Sequence, residues 1–551
     1  MSPKSLADST YISSKKRVYL DHAGATLPSS ELLKSVAESL TITDLCLGNP
    51  HSRHYSGQST TSLIENARNR ILGYFGVSSS SYVVVFTANA TAALKLVAEN
   101  FNFGSTSGSK DFRVSENLVE EIHGTEYPST LMMLRDSHTS VVGMRNVASC
   151  QKVLVVKHIE ELETFLSNNE QPLHNGQNYG GFHNNLFVMT AMSNFCGRKY
   201  DLSVIERLRT VSGAQWSICL DASALAGSSQ LNLTLCGNPD FVACSFYKMF
   251  GYPTGLGALL IRRDRASLLK KSYFGGGSVN FVSDSSFFVE YRDEISDRFE
   301  DGTLDYYSIS ALRFGFEDLL RFGGISGIEK HCWSLARKAW QFLSNAKHAN
   351  GMPVAIIYGN GWNQSEYPDC KKQGPIINFN LLRDDASFVG YSEVDKMSDL
   401  FGIELRTGCF CNQGACAMHL KLDEQSLNKS HKDVRIFQQM IECCFISYSP
   451  NTLLNNSFSL NSIYSAATKQ FPVVGLARLT HIFVYPIKSC GSHAPNRQEH
   501  HSLRNDIHRF VRYLQRKFRS MRRGKLLCYM TDMVCKSHWK YLVRIRRTDV
   551  R

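Results

Sequence analysis

Lys248 follows an apolar run, residues 241–246, and precedes a Pro- and Gly-broken loop in the segment FVACSFYKMFGYPTGLGALL. An ammonium at the end of a buried strand is poorly solvated, so its pKa falls and the free amine can form a Schiff base. On an open turn the same residue would be an ordinary solvated lysine. Ser245 and Tyr247 set hydroxyls on either side of the strand end. A second reactive stretch is RTGCFCNQGAC, running from Arg406 to Cys416. A thiolate there can serve as a nucleophile. With His419 the sulfurs could instead ligate zinc, although C-x-C-x4-C-x2-H matches no common zinc spacing. Plain structural thiols are the third reading. The turn TANAT, from Thr87 to Thr91, offers free backbone N–H groups and a hydroxyl at a strand–helix junction. That is an anion site by geometry, or simply a capped helix start.

Each of these residues needs an element that ends at it. VYLDHAGATLPS reads as a short strand broken by a turn, and SYVVVF before Thr87 as a buried strand feeding a helix. Further strands are expected from residue 130 to about 136, turning at His138; at KVLVVKHI; from residue 186, running to a loop with Asn194; and at WSICLD, ending on Asp221. Alternating strands and helices with polar residues at successive strand ends predict an α/β fold. Its sheet should be largely parallel, with a ligand over the carboxyl edge. Residues 167–185 form a polar insert, and from about 431 to 471 no clear period remains.

SFYKMFGYPTGLG resembles the lysine segment of the class-V, fold-type-I pyridoxal phosphate (PLP) enzymes, in their cysteine-desulfurase branch. RTGCFCNxGAC, SHTSVVGMR and VYLDHAGAT are similar to segments of the molybdenum cofactor sulfurase family within that branch. LTHIFVYPIKSC resembles the first strand of that family's C-terminal MOSC-type β-barrel domain. The resemblance implies a PLP-dependent desulfurase-like domain at 15–425. Its large, mostly parallel-sheet domain spans about 45–300, and its smaller α+β domain takes the N-terminal segment plus about 310–425. An irregular linker at 426–475, a remnant barrel strand at 476–496 and a basic tail at 497–551 follow.

The resemblance also implies roles. Lys248 carries PLP, Asp221 keeps its ring nitrogen protonated, His138 stacks on the ring and Asn194 reaches its 3′-oxygen. Ala90, Thr91 and Ser245 hold the phosphate, which Thr303 in the EDGT loop reaches from the neighbouring subunit of a homodimer. The RTG-x-x-C frame makes Cys411 the carrier of a persulfide drawn from L-cysteine. The expected acceptor is the molybdenum cofactor, a molybdopterin complex, which goes on to activate molybdenum hydroxylases of the xanthine dehydrogenase and aldehyde oxidase type. The chain departs from the desulfurase pattern at Tyr247, where many members have His, and at Ala224, where Gln is common. Past Cys416 no V-R-x-S-F-G strand with a carboxylate-binding arginine is found, and Val434-Arg435-Ile436 matches it poorly.

Composition narrows the alternatives. Hydrophobic content of 43% with 20% charged residues is ordinary for a globular chain. The polar N-terminal segment shows no secretory signal, and no apolar run is long enough to cross a bilayer. The 16 cysteines are scattered, which suits free thiols in a reducing compartment and makes the cytoplasm the expected location. The net charge of +12 lies entirely in residues 497–551, leaving the body neutral and nucleic acid not expected as a partner. Phe510, Leu514, Phe518 and Met521 would give that tail one apolar helical stripe among arginines. Two other functions fit parts of the pattern: a general cysteine desulfurase for iron–sulfur or tRNA thiolation, and a truncated non-catalytic interaction protein.

Overall fold

The computed structural model describes residues 17–42, 46–104, 110–116, 129–168, 184–211, 216–359, 368–423, 444–447, 482–486 and 541–545. The chain divides into two compact units, Met1–Thr468 and Lys469–Arg551.

The first unit is built on an eight-stranded sheet. Its strand order is Tyr82–Thr87, Gly257–Arg262, Phe241–Ser245, Trp216–Asp221, Asn185–Thr190, Thr130–Leu134, Lys152–Val156 and Asp111–Val114. Gly257–Arg262 alone in this sheet runs antiparallel to its neighbours, and the other pairings that join the later strands are parallel. The central strands are apolar at nearly every position because both faces are covered. Val84, Met132, Phe187 and Leu220 pack into one core, whereas Val85, Met133, Val188 and Cys219 pack into the other. Residues one apart on a strand thus enter opposite layers, which is why these strands read as continuous runs rather than alternations. Seven strands share a direction, so their carboxyl ends meet at one edge.

A smaller antiparallel sheet follows, in the order Ala355–Tyr358, Ile376–Leu381, Cys444–Ser447, Arg406–Thr407. The helices Gly324–Asn345 and Tyr391–Leu400 accompany it in the chain. Val18–Tyr19 pairs in parallel with Ile403–Glu404, which ties the N-terminal segment to the run leading into the cysteine loop. Cys444–Ser447 corrects the expectation of an aperiodic stretch: a strand does stand past Cys416, in register with Arg406 and Thr407. Its four residues include no arginine, and Val434–Ile436 lies outside the described residues.

In the second unit the expected strand is present as Ile482–Pro486. It pairs antiparallel with Tyr541–Ile545, so the basic tail contains a strand that its composition did not suggest. The expected apolar stripe at 510–521 falls outside the described residues.

Candidate active site

Lys248 lies on a single helical turn, Tyr247–Phe250, that begins where the strand Phe241–Ser245 ends. The turn is held from behind: Thr26 Oγ1 donates to the Lys248 carbonyl at 2.8 Å. The half-buried Lys248 amine has its pKa lowered, chiefly by burial and further by the Arg406 charge, while Asp221 and Cys411 oppose the shift. Asp221 closes the adjacent strand and is itself buried. Its Oδ1 accepts from Ser223 N at 3.0 Å and from Ser223 Oγ at 2.6 Å. The amine and the acid therefore come from neighbouring strand ends, 27 residues apart in sequence.

The turn after Thr87 forms one wall. The backbone N–H of Ala90 donates to Ser245 Oγ at 2.8 Å, which joins two of the expected phosphate contacts directly. Gly257 makes this approach possible, since a Cβ there would lie 2.7 Å from Asn89 Cα and 2.6 Å from the Cys244 carbonyl. Thr91 Oγ1 and Ser140 Oγ are 2.7 Å apart, and Ser140 Oγ is 2.9 Å from His138 Nδ1. The Ser140 N–H also donates to that Nδ1, so the ring proton belongs on Nε2. Burial lowers the His138 pKa, Lys248 lowers it further and Asp221 opposes this. Ser140 links the ring-stacking and phosphate candidates, yet sequence reasoning passed over it. Its only signal was a second serine in SHTS.

The cysteine loop closes over the same edge. Cys409 O accepts the N–H of Asn412 at 2.9 Å, making a tight turn with Phe410 and Cys411 at its centre. Both central residues are left-handed, with φ of 55° and 56°. Each costs roughly 1 kcal/mol in a residue with a side chain. Burying Phe410, which packs 5.7 Å from the Phe195 ring, offsets that cost and leaves Cys411 exposed at the tip. The Thr139 N–H donates to the Cys411 carbonyl at 2.7 Å, so the nucleophile's own peptide is tied to the His138 turn. Asn412 caps the helix Gln413–His419 and also donates to Asp136 Oδ1 at 2.6 Å. Gly414 lets that helix pack against the strand end, because a Cβ there would clash with the Arg135 carbonyl at 1.9 Å. Cys409 and Cys416 are disulfide-bonded to each other, and His419 stacks on Phe195.

Asn194 sits between the two halves. Its Nδ2 donates to the Phe410 carbonyl at 2.7 Å and its Oδ1 accepts from Asn412 at 2.9 Å. The residue expected at the cofactor's 3′-oxygen is therefore also an anchor of the cysteine loop. Thr303 stands apart: it is exposed, and among the described residues it makes no hydrogen bond to the other candidates. Its loop is fixed nonetheless, through Glu300, which takes a bidentate pair from buried Arg68 at 2.7–2.8 Å and the Phe86 N–H at 2.6 Å. Arg406 entered the sequence reading only as the first residue of the cysteine motif, with no role of its own. Its charge acts on Lys248, His138, Tyr247 and Asp21 alike.

These residues fit the group that the resemblance implies. PLP needs a Schiff-base amine, an acid near its ring nitrogen, a flat side chain and an anion cup. Lys248, Asp221, His138 and the Ala90/Thr91/Ser245 donors meet at one sheet edge, beside a Gly257 position that a side chain would fill.

The aminotransferase class-V family matches residues 18–117 and 181–361. The chain is 41% identical over 500 residues to the molybdenum cofactor sulfurase of Caenorhabditis elegans, covering 82% of this chain and 67% of that protein. It is 42% identical over 427 residues to the molybdenum cofactor sulfurase of Homo sapiens, covering 75% of this chain and 44% of that protein. The chain thus spans about two thirds of the nematode relative and under half of the human one. Among solved structures, the apo cysteine desulfurase of Thermococcus onnurineus NA1 superposes with a TM-score of 0.60 at 18% identity, covering 84% of this chain and 96% of that one. A cysteine desulfurase of Escherichia coli gives 0.58 at 16% identity, covering 85% and 97%. Those two likenesses speak for the fold, PLP fold type I, while the nematode and class-V matches carry the lineage: the chain belongs to the molybdenum cofactor sulfurase family, within the class-V aminotransferases.

Proposed function

We propose that this protein is a PLP-dependent sulfurtransferase that draws sulfur from L-cysteine onto Cys411 and passes it to the molybdenum cofactor. One observation carries the reading: an exposed thiol is held by its own backbone, through Thr139, at the sheet edge where Lys248 and Asp221 meet. PLP when bound would withdraw electrons from the α-carbon of the amino acid, so that the carbon–sulfur bond can break. Lys248, kept below the ordinary lysine range by burial, is suited to accept and return a proton at that carbon. Asp221, oriented by Ser223, would hold the ring-nitrogen proton, and neutral His138 would cover the ring. Cys411 thiolate would attack the departing sulfur and keep it as a persulfide, releasing alanine.

Arg406 supports a place for the substrate carboxylate, since the strand Cys444–Ser447 supplies no arginine. Thr303, exposed on a loop braced by the Arg68–Glu300 pair, fits a contact across a homodimer interface. The recipients in this reading are molybdenum hydroxylases. Incubating the PLP-loaded chain with L-cysteine should give alanine by way of Cys411, and molybdenum cofactor present in the same mixture should take up the sulfur. Sulfur that went to an iron–sulfur scaffold or tRNA-thiolation acceptor while the molybdenum cofactor stayed unchanged would overturn the assignment of acceptor.

A further inference from the structure

Replacing an oxo ligand of molybdenum by a sulfido ligand exchanges two dianions and leaves the metal's oxidation state unchanged. The sulfur carried on Cys411 as a persulfide is sulfane sulfur, two electrons more oxidised than sulfide. Some group must supply those two electrons. The cysteine loop holds a candidate pair. Cys409 shares one four-residue turn with Cys411, and Cys416 bonds to Cys409 across a Cα–Cα distance of 5.4 Å. The three sulfurs also form a gradient of access, with Cys411 exposed, Cys409 partly buried and Cys416 buried. The disulfide is the oxidised form of a dithiol placed beside the persulfide.

We infer that Cys409 and Cys416 are a reducing dithiol that converts the Cys411 persulfide to sulfide. This rests on the proposed function. Cys409 thiolate attacks the outer sulfur of the persulfide, breaking its S–S bond, so that Cys411 leaves as thiolate and Cys409 becomes the persulfide. Cys416 thiolate then attacks the Cys409 sulfur and expels hydrosulfide, forming the Cys409–Cys416 disulfide. The balance is one persulfide and two thiols giving one thiol, one disulfide and one hydrogen sulfide. With the metal as acceptor, its oxo oxygen leaves as water and the sulfide takes its place. A reducing dithiol from solution resets the pair.

The test uses the full PLP-loaded chain, reduced, freed of reductant and given one equivalent of L-cysteine without oxygen. Wild type is expected to release sulfide as it loses two free thiols, and peptide mass spectrometry should find them joined as Cys409–Cys416. The Cys409→Ser/Cys416→Ser double variant is expected to stop at the Cys411 persulfide and lose sulfide release. Should that variant fold poorly, wild type started in its disulfide form is expected to stop at the same point. Wild type that retains its persulfide with both thiols free would overturn the inference, as would a double variant that releases as much sulfide as wild type. A lack of alanine would count against the proposed function, not this step. Loading Cys411 with polysulfide then reads the step without the cofactor, the Cys411→Ser chain serving as its control: equal sulfide from both chains would overturn the inference, and release that needs Cys411 would support it.

Discussion

Asn412 is the residue through which the cysteine loop is seated, and replacing it separates capping from anchoring. The side chain is fully buried, at 0% exposure. Its Oδ1 accepts the Ala415 N–H at 3.1 Å, and its Nδ2 donates to Asp136 Oδ1 at 2.6 Å and Asn194 Oδ1 at 2.9 Å. Asn412→Ala removes a helix cap worth ~1 kcal/mol and a hydrogen bond to a carboxylate worth ~1.5–3 kcal/mol. A loss of about 3 kcal/mol shifts the balance between seated and unseated loop by roughly 100-fold. The left-handed turn at Phe410 and Cys411 leaves the loop little reserve against that loss. Asn412→Asp sharpens the test. Aspartate caps a helix as well as asparagine does, but here it would face the Asp136 carboxylate across the same 2.6 Å. Like charges at that separation cannot both ionise freely. Asn412→Asp should therefore be at least as damaging as Asn412→Ala. The assay is alanine formation from L-cysteine with hydrogen exchange across residues 408–420, PLP retention serving as the control. An Asn412→Asp chain that matches wild type would show that only the cap matters, and the anchoring argument would fail.

Lys248→Ala should remove the visible absorption band of lysine-bound PLP, and a wild-type chain that stays colourless after reconstitution would end the PLP reading. Cys411→Ser should keep the cofactor but yield neither alanine nor persulfide; if Cys409→Ser alone is dead for alanine, the carrier lies two residues earlier in the loop. Arg406→Leu should weaken L-cysteine binding by ~1.5–3 kcal/mol, seen as a raised KM, and an unchanged KM would remove Arg406 from carboxylate recognition. Burial lowers the His22 pKa from 6.5 to about 4. Between those values the unfolded chain holds the extra proton, so stability should fall as the pH drops from 6.5 and level off near 4, by about 3 kcal/mol in all. His22→Phe should flatten that part of the urea-midpoint curve, and a slope equal to wild type's would refute the assignment.

What could be read in the sequence is what burial writes locally. Strands covered on both faces leave apolar runs, and a parallel sheet gathers their ends, so the alternation put Lys248, Asp221, His138 and the turn after Thr87 at strand ends, while their roles came from the resemblance. Ser140 and Asp136 were not, because each acts across the fold: Thr91 meets Ser140 49 residues away, and Asn412 meets Asp136 276 residues away. Neither contact leaves a periodic mark. Cys444–Ser447 was missed because a four-residue strand has too short a period to detect, and its register comes from Ile376–Leu381 on its other side. Tyr541–Ile545 was hidden by the charge around it. The distant contacts have one physical consequence in common. A turn with two left-handed central residues does not hold its shape by local preference, so Cys411 is presented only while Asp136 and Asn194 grip its neighbours and Thr139 its own carbonyl. Asn194 is also the residue expected to touch the cofactor. Seating the cofactor and seating the nucleophile thus compete for, or share, one amide, and any change at Asn194 should register in both PLP affinity and Cys411 reactivity.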